Sequence, residues 1–271
     1  MSNATIKLIT AILAAASFTA CGDNTSRSAQ SVYDAASSLL EQGNPAGAIT
    51  MLDSLDSAYP AETSLRRRGM HLRALALEKL TVAELAETDS LLACLTAESQ
   101  QLSTSLRKVD NAVEPYFIAA GSTLAPTGLQ ARMAPDGVIY IVSSLSGHPL
   151  RHTSITASAG GRTASTTTVA FDGERSSRNG GVETVHFVGA ECDSLVRFIT
   201  SADSPVTITW NGTSGYSRPL TASEQQAIAT LGSYAASVTA VKVATLEHQR
   251  LEKRLEIARS QAARTYPDSI R

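Results

Sequence analysis

One stretch of this sequence restricts its fold more than any other. Leu85, Thr88, Leu92, Leu95, Ser99, Leu102, Leu106, Val109 and Val113 follow one another at alternating steps of three and four, and all but Thr88 and Ser99 are aliphatic. A strict period of seven confines these side chains to one narrow stripe, the pattern of a helix that pairs with another helix. Thr81-Val82-Ala83-Glu84 just before it is a capping box, so the spacing predicts a helix over 81–113. A second box, Thr221-Ala222-Ser223-Glu224, opens a stretch free of proline until Pro267, which predicts a helix over 221–266, a rod of roughly 68 Å. Its seam runs through Ile228, Leu231, Ala235 and Val238, then slips phase to Ala244, His248, Leu251, Leu255, Ala258 and Ala262. The two helices are expected to form an antiparallel coiled-coil hairpin. With Val113 level with Thr221, Thr81 lies level with Lys253, and Leu255, Ala258 and Ala262 reach the helix of Leu72, Leu75 and Leu77. His248 then acts as a polar register device, and use of the long helix for dimerisation is the rival arrangement.

Between these helices the composition changes to Gly, Thr, Ser and Val. Residues 114–220 carry turn signals at Pro135-Asp136-Gly137, Gly160-Gly161, Asn179-Gly180-Gly181 and Asn211-Gly212, which predict strands joined by tight turns. Gly128–Met133, Val138–Val142 and the alternating Val206, Ile208 and Trp210 read as strands, whereas Cys192, Leu195, Val196 and Ile199 recur at helical spacing and predict a short helix over 193–201. About seven short strands suit a small β-sandwich or open barrel. The fold class is α+β.

Residues 32–80 read as three helices, broken at Gly43-Asn44-Pro45 and Tyr59-Pro60. Gln30–Pro60 resembles one tetratricopeptide repeat, with Gly43 ending its first helix, Ala48 and Leu52 at the small and large packing positions, Pro60 closing it, and Val32 in place of the early aromatic. One such unit implies a helical hairpin, because a solenoid needs about three.

The N-terminus supplies an address. Residues 1–20 hold one charge, Lys7, and an apolar run from Leu8 to Ala20 of about 13 residues, the size of a signal peptide and short of the roughly 20 that span a bilayer. Phe18-Thr19-Ala20-Cys21 resembles the lipobox of bacterial lipoproteins, with Phe18 where leucine is usual. The resemblance implies cleavage before Cys21 and diacylation and N-acylation there, palmitate-type chains that together anchor durably. Cys21 with residues 22–31, polar and unpatterned, is expected to form a flexible tether of roughly 18 Å, and no further spanning stretch is expected. With Cys21 lipidated, Cys94 and Cys192 are expected to stay unpaired.

Lipobox, helical hairpin, coiled coil and strand-rich insert together resemble a group of Bacteroidota lipoproteins, prompted by Met51-Leu52-Asp53-Ser54-Leu55-Asp56, by Leu145 to His152 (Leu-Ser-Gly-His-Pro-Leu-Arg-His), and by Gly189-Ala190-Glu191-Cys192-Asp193. That resemblance implies a cell-envelope location and no particular reaction. A looser analogy is to periplasmic adaptor subunits, which also join a helical hairpin to β domains.

Chemistry is sparse. The formal net charge of -2 on 271 residues argues against nucleic acid as partner, and an aromatic content of 5% counts modestly against a sugar-binding module. His148, Arg151 and His152 with His186 are the candidate ligand contacts, joined by Arg175 and Arg178 in the loop Gly173–Gly181. Imidazoles spaced this way are not a zinc signature, no nucleophile has an activating pattern, and no cofactor or metal is expected. Arg66-Arg67-Arg68 reads as a solvated helix face or a contact with lipid headgroups, and Asn211-Gly212-Thr213 as a hairpin turn before a glycosylation site. These observations predict a membrane-anchored structural or adaptor lipoprotein, not an enzyme, with a protein partner met through the β domain. The alternatives are a glycan- or small-molecule-binding surface lipoprotein and a metal-dependent hydrolase built on His148, His152 and His186.

Overall fold

The computed structural model describes residues 22–112 and 114–265. The signal segment, Cys21 and Val113 lie outside the described residues. The fold is mixed, with five α-helices and two antiparallel sheets among the described residues. The chain divides into two compact units, Met1–Glu84 with Leu251–Arg271, and Leu85–Arg250.

The first unit is helical: α1 (Gly22–Glu41), α2 (Pro45–Ala58), the start of α3 (Thr63–Ser103) and the last turns of α5 (Ala222–Arg264). Gly43 turns the chain at φ 79° and the Asn44 side chain caps α2 by accepting the Gly47 amide at 2.9 Å, leaving Pro45 at the first helical position, where its missing amide costs nothing. Ala48 and Leu52 are buried with Ala29, Ala36, Leu40 and Leu55, as the repeat pattern requires. Gly69 of α3 lies so close to α2 that a β-carbon there would stand 3.3 Å from Leu52 Cδ2.

Two expectations fail in this unit. The tether is not free coil, since residues 22–31 are the opening turns of α1 and Ala29 is fully buried. Their polar composition hides a helical face, because Ala29, Val32, Ala36 and Leu40 recur at steps of three and four. Nor does a helix begin at Thr81, for α3 runs unbroken from Thr63. No glycine or proline interrupts residues 70–103, so the Thr81 hydroxyl bonds back to the Leu77 carbonyl at 2.7 Å. The same hydroxyl accepts from Arg254 Nε at 2.8 Å, one residue from the level predicted, and Arg254 also reaches Glu84. Arg259 meets Glu78 at 2.9 Å and His71 Nδ1 donates to the Ala262 carbonyl at 3.2 Å.

In the second unit α3 ends at Ser103, not at residue 113. Ser103 and Thr104 turn their hydroxyls onto the carbonyls of Gln100 and Gln101, ending the helix by competing for its backbone. Leu106 and Val109 therefore lie in β1 (Leu106–Val109), paired with β2 (Tyr116–Ala119). The six helical seam positions from Leu85 to Leu102 are all half-buried, and His248 Nε2 stands 2.9 Å from Asp89.

β1 and β2 continue into β3 (Gly128–Met133), β4 (Ile139–Ser146), β8 (Val182–Val188) and β7 (Ser176–Asn179), in that order across a six-stranded sheet. The other sheet has the order β10 (Gly215–Pro219), β9 (Thr207–Asn211), β5 (Ser154–Ala159), β6 (Arg162–Ser165). Inward residues of both sheets, α4 (Asp193–Thr200) and Ile228 and Leu231 of α5 share one core. Among the described residues ten strands appear where about seven were expected: β1 was hidden in the heptad, and β6 and β7 are short and polar. The second capping box forms as predicted, with the Glu224 amide donating to Thr221 Oγ1 at 3.2 Å and the Thr221 amide to Glu224 Oε2 at 2.9 Å. By length and composition alone α5 could cross a membrane, with an 18-residue window of mean hydropathy 1.3. That departs from the expectation of no spanning stretch after the anchor.

Candidate functional site

β4 and β8 are neighbours, so Ser143 and Glu183 both point inward from adjacent strands. The loop after β4 returns over them and places Arg151 at φ 48°, the one positive value outside glycine among the described residues. That conformation costs energy and turns two successive amides onto one carboxylate: Arg151 N donates to Glu183 Oε1 at 3.0 Å and His152 N to Oε2 at 3.3 Å. His152 Nδ1 lies 3.4 Å from the same carboxylate and Nε2 lies 3.0 Å from Ser143 Oγ. From the opposite sheet Trp210 Nε1 donates to Ser143 Oγ at 2.8 Å. Protons therefore run one way, from Trp210 to Ser143, from Ser143 to His152 Nε2, and from His152 Nδ1 to Glu183, which assigns the imidazole tautomer.

Hydroxyl, imidazole and carboxylate stand here in the order of a nucleophile, its base and the orienting acid. Serine, histidine, glutamate and tryptophan are all fully buried, at 0% exposure, and the Trp210 N–H occupies the hydroxyl oxygen. The set ties the two sheets together through hydrogen bonds that leave no buried member unpaired. Burial lowers the His152 pKa, although Glu183 pulls the other way. Gly212 permits this packing: a β-carbon there would fall 2.3 Å from the Leu150 carbonyl and 3.0 Å from His152 Cα.

The side chains of the other predicted residues do not join His152. His148 stacks on Tyr216, ring centroids 3.9 Å apart, and the Arg151 guanidinium lies over Phe171. Arg175 pairs with Glu191, and Arg178 is exposed on the edge strand β7. His186 points to the opposite side of its sheet from Glu183, so the three imidazoles of the hydrolase alternative stand apart. Among the described residues no three His, Cys, Asp or Glu side chains gather as a metal site. Cys94 is exposed and Cys192 buried, neither in a disulfide, and burial pushes the Cys192 thiol up to about 12.

A second constellation escaped the sequence reading. On the outward side of the six-stranded sheet, β2, β3, β4 and β8 contribute Tyr116, Arg132, Tyr140 and His186 in sequence across the strands. Arg132 lies over the Tyr116 ring at 4.5 Å and donates through Nε to Gln130 at 2.8 Å. Tyr140 and His186 rings lie nearly parallel, 15° apart, with centroids separated by 6.4 Å. Burial raises the Tyr140 pKa against the lowering charge of Arg132, and burial followed by that same charge lowers His186. Among the described residues Arg132 forms no ion pair with a carboxylate. The signal was present in the alternation of β3, β4 and β8: once Leu129, Ala131, Ile141, Val185 and Phe187 face the core, the residues between them must face out.

A cavity of ≈ 980 Å³ opens beside Thr127, Ser105 and Thr221, and no member of either constellation lines it. Its charged wall, Arg218 with Glu224 at 2.6 Å, is internally paired. Burial works against the Glu224 carboxylate, but hydrogen bonds from Arg218 and Thr221 prevail and lower its pKa. Comparison with protein-family models, curated proteins and solved structures finds no match to this chain.

Proposed function

We propose that the protein is an exported lipoprotein, held on a membrane of the cell envelope by lipid on Cys21, that acts as a structural or adaptor protein through recognition by its strand-rich unit. The observation that carries the recognition reading is the Tyr116–Arg132–Tyr140–His186 ladder, an ordered row of rings and one guanidinium without an ion-pair partner among the described residues, on the outward face of the sheet. Recognition in place of catalysis is further supported by Ser143, His152 and Glu183, whose polar atoms are spent on joining the sheets. We also read α3 and α5 as an antiparallel coiled-coil hairpin, supported by the half-buried seam, by His248 beside Asp89, and by Arg254 beside Thr81.

The test has two arms. Cys21→Ser should abolish fatty-acid labelling and shift the protein toward the soluble fraction; persistent labelling would refute the anchor, and since α5 passes the length test for a span, the label is the decisive readout. A photo-crosslinker at outward-facing Thr184 should capture a reproducible envelope component that the same probe at Thr209, on the four-stranded sheet, does not. Identical capture at both positions would remove the sheet face from the account.

A further inference from the structure

We propose that the outward face of the six-stranded sheet binds an extended acidic polysaccharide, with Arg132 receiving a sugar-ring carboxylate between the flanking aromatic rings. The inference rests on the recognition reading and names the chemistry of the partner. Its first support is charge. Arg132 is held in place by Tyr116 and Gln130 with no carboxylate partner among the described residues, and a fixed guanidinium fork presents parallel donors that match a carboxylate. Arg107, exposed on β1 and in register with Ile118, adds a second cation to the same face. One acidic group, Glu114, lies near enough to act on Tyr140, the weakest of the influences there, so Arg107 and Arg132 outnumber it on a chain whose formal net charge is -2.

Shape supplies the second support. From Tyr116 on β2 to His186 on β8 the ladder crosses three inter-strand gaps, roughly 14 Å, along the outer surface of a sheet, which suits an extended chain and not a small molecule held in a concave pocket. Composition supplies the third. Ile118 and Val142 of this face are buried at 2% and 1% exposure, and the apolar side chain it does expose, Val188 opposite Tyr140, stands at one end of the face, so its middle presents ring, guanidinium, amide and hydroxyl. A protein interface would need an apolar centre to desolvate, and a nucleic acid would need a longer run of cations than Arg107 and Arg132 provide.

The experiment uses the purified full chain in detergent, with polygalacturonate as probe and neutral dextran, dextran sulfate and poly-glutamate as comparators. Polygalacturonate should bind and neutral dextran should not. Arg132→Gln should weaken binding about tenfold to a hundredfold, the range expected for one charge-assisted contact; Tyr140→Ala should weaken it as well, whereas Arg162→Gln on the other sheet should leave it unchanged. Failure of polygalacturonate to bind, equal binding of neutral dextran, or an Arg132→Gln variant that binds like the parent would overturn the proposal. Tighter binding of poly-glutamate would reassign the face to an acidic peptide, and of dextran sulfate to a sulfated polymer, and either result overturns it too. If these assays fail while Thr184 crosslinking remains specific, the ligand class falls and the recognition reading stands; if both fail, the reading falls with it.

Discussion

The two sides of β4 and β8 carry the same kinds of residue and put them to opposite use. Inward, Ser143 and Glu183 meet His152 and Trp210 in a network with every polar atom paired and no exposure. Outward, Tyr140 and His186 stand beside an arginine that forms no ion pair among the described residues. A histidine is present on each side, and burial lowers both pKa values. The neighbours differ: a carboxylate opposes the shift at His152, whereas Arg132 reinforces it at His186. Residue identity alone therefore does not mark a site; whether the polar atoms are already satisfied does.

The largest effect should come from breaking the inner side. Glu183→Ala leaves two backbone amides and a buried imidazole N–H without an acceptor, and removal of one partner from such a set costs about 3–5 kcal/mol. Denaturant unfolding would measure it, and a loss under about 1 kcal/mol would show that the network is not a structural tie. Gly212→Ala should follow, at about 1–3 kcal/mol, because its β-carbon would meet the Leu150 carbonyl and only a backbone shift can relieve that. Acid is a milder probe of the same region. The folded state refuses a proton that an unfolded histidine accepts, so the His152 contribution is fully present above the ordinary pKa of about 6.5 and is lost as pH falls from there toward the lowered folded value. His186 shifts in the same direction, so the slope should shrink in both His152→Gln and His186→Gln. Smallest of all, Arg132→Ala should change stability by about 0.5 kcal/mol or less, even though it removes the proposed carboxylate contact. A large loss there would make the ladder part of the fold and not a surface kept for a ligand.

Much of the architecture was legible because it rests on local rules. The turn at Pro135-Asp136-Gly137, the short helix of Leu195 and Ile199, the Thr221 capping box and the helical hairpin at Gly43 each follow from residues a few positions apart. The Leu251, Ala258 and Ala262 seam is buried as its period implies. Misreadings arose where a local pattern had two solutions. Leu106 and Val109 fit a heptad and also fit a strand, and pairing with β2, unknowable from period alone, decides for the strand. Thr81-Val82-Ala83-Glu84 has the letters of a capping box, yet no break precedes it, so the helix from Thr63 simply continues. The site was least legible of all. His152 and His148 are close in sequence, but one is drawn inside by Glu183 and the other stacks on Tyr216, contacts set by the docking of two sheets. Arg132 and Tyr140 carry no motif and become conspicuous only when four strands set them side by side.

The account turns on one side of the sheet being sealed and the other open, and histidine acylation read by mass spectrometry in the folded full chain tests this directly. At neutral pH, diethyl pyrocarbonate should modify His186 and half-buried His148 while His152 stays unmodified until denaturant unfolds the protein. Saturating polygalacturonate should slow the reaction at His186 and leave the rate at His148 unchanged. Modification of His152 in the folded protein at a rate near that of His186, or indifference of His186 to the polymer, would contradict the division between an inner tie and an outer recognition face.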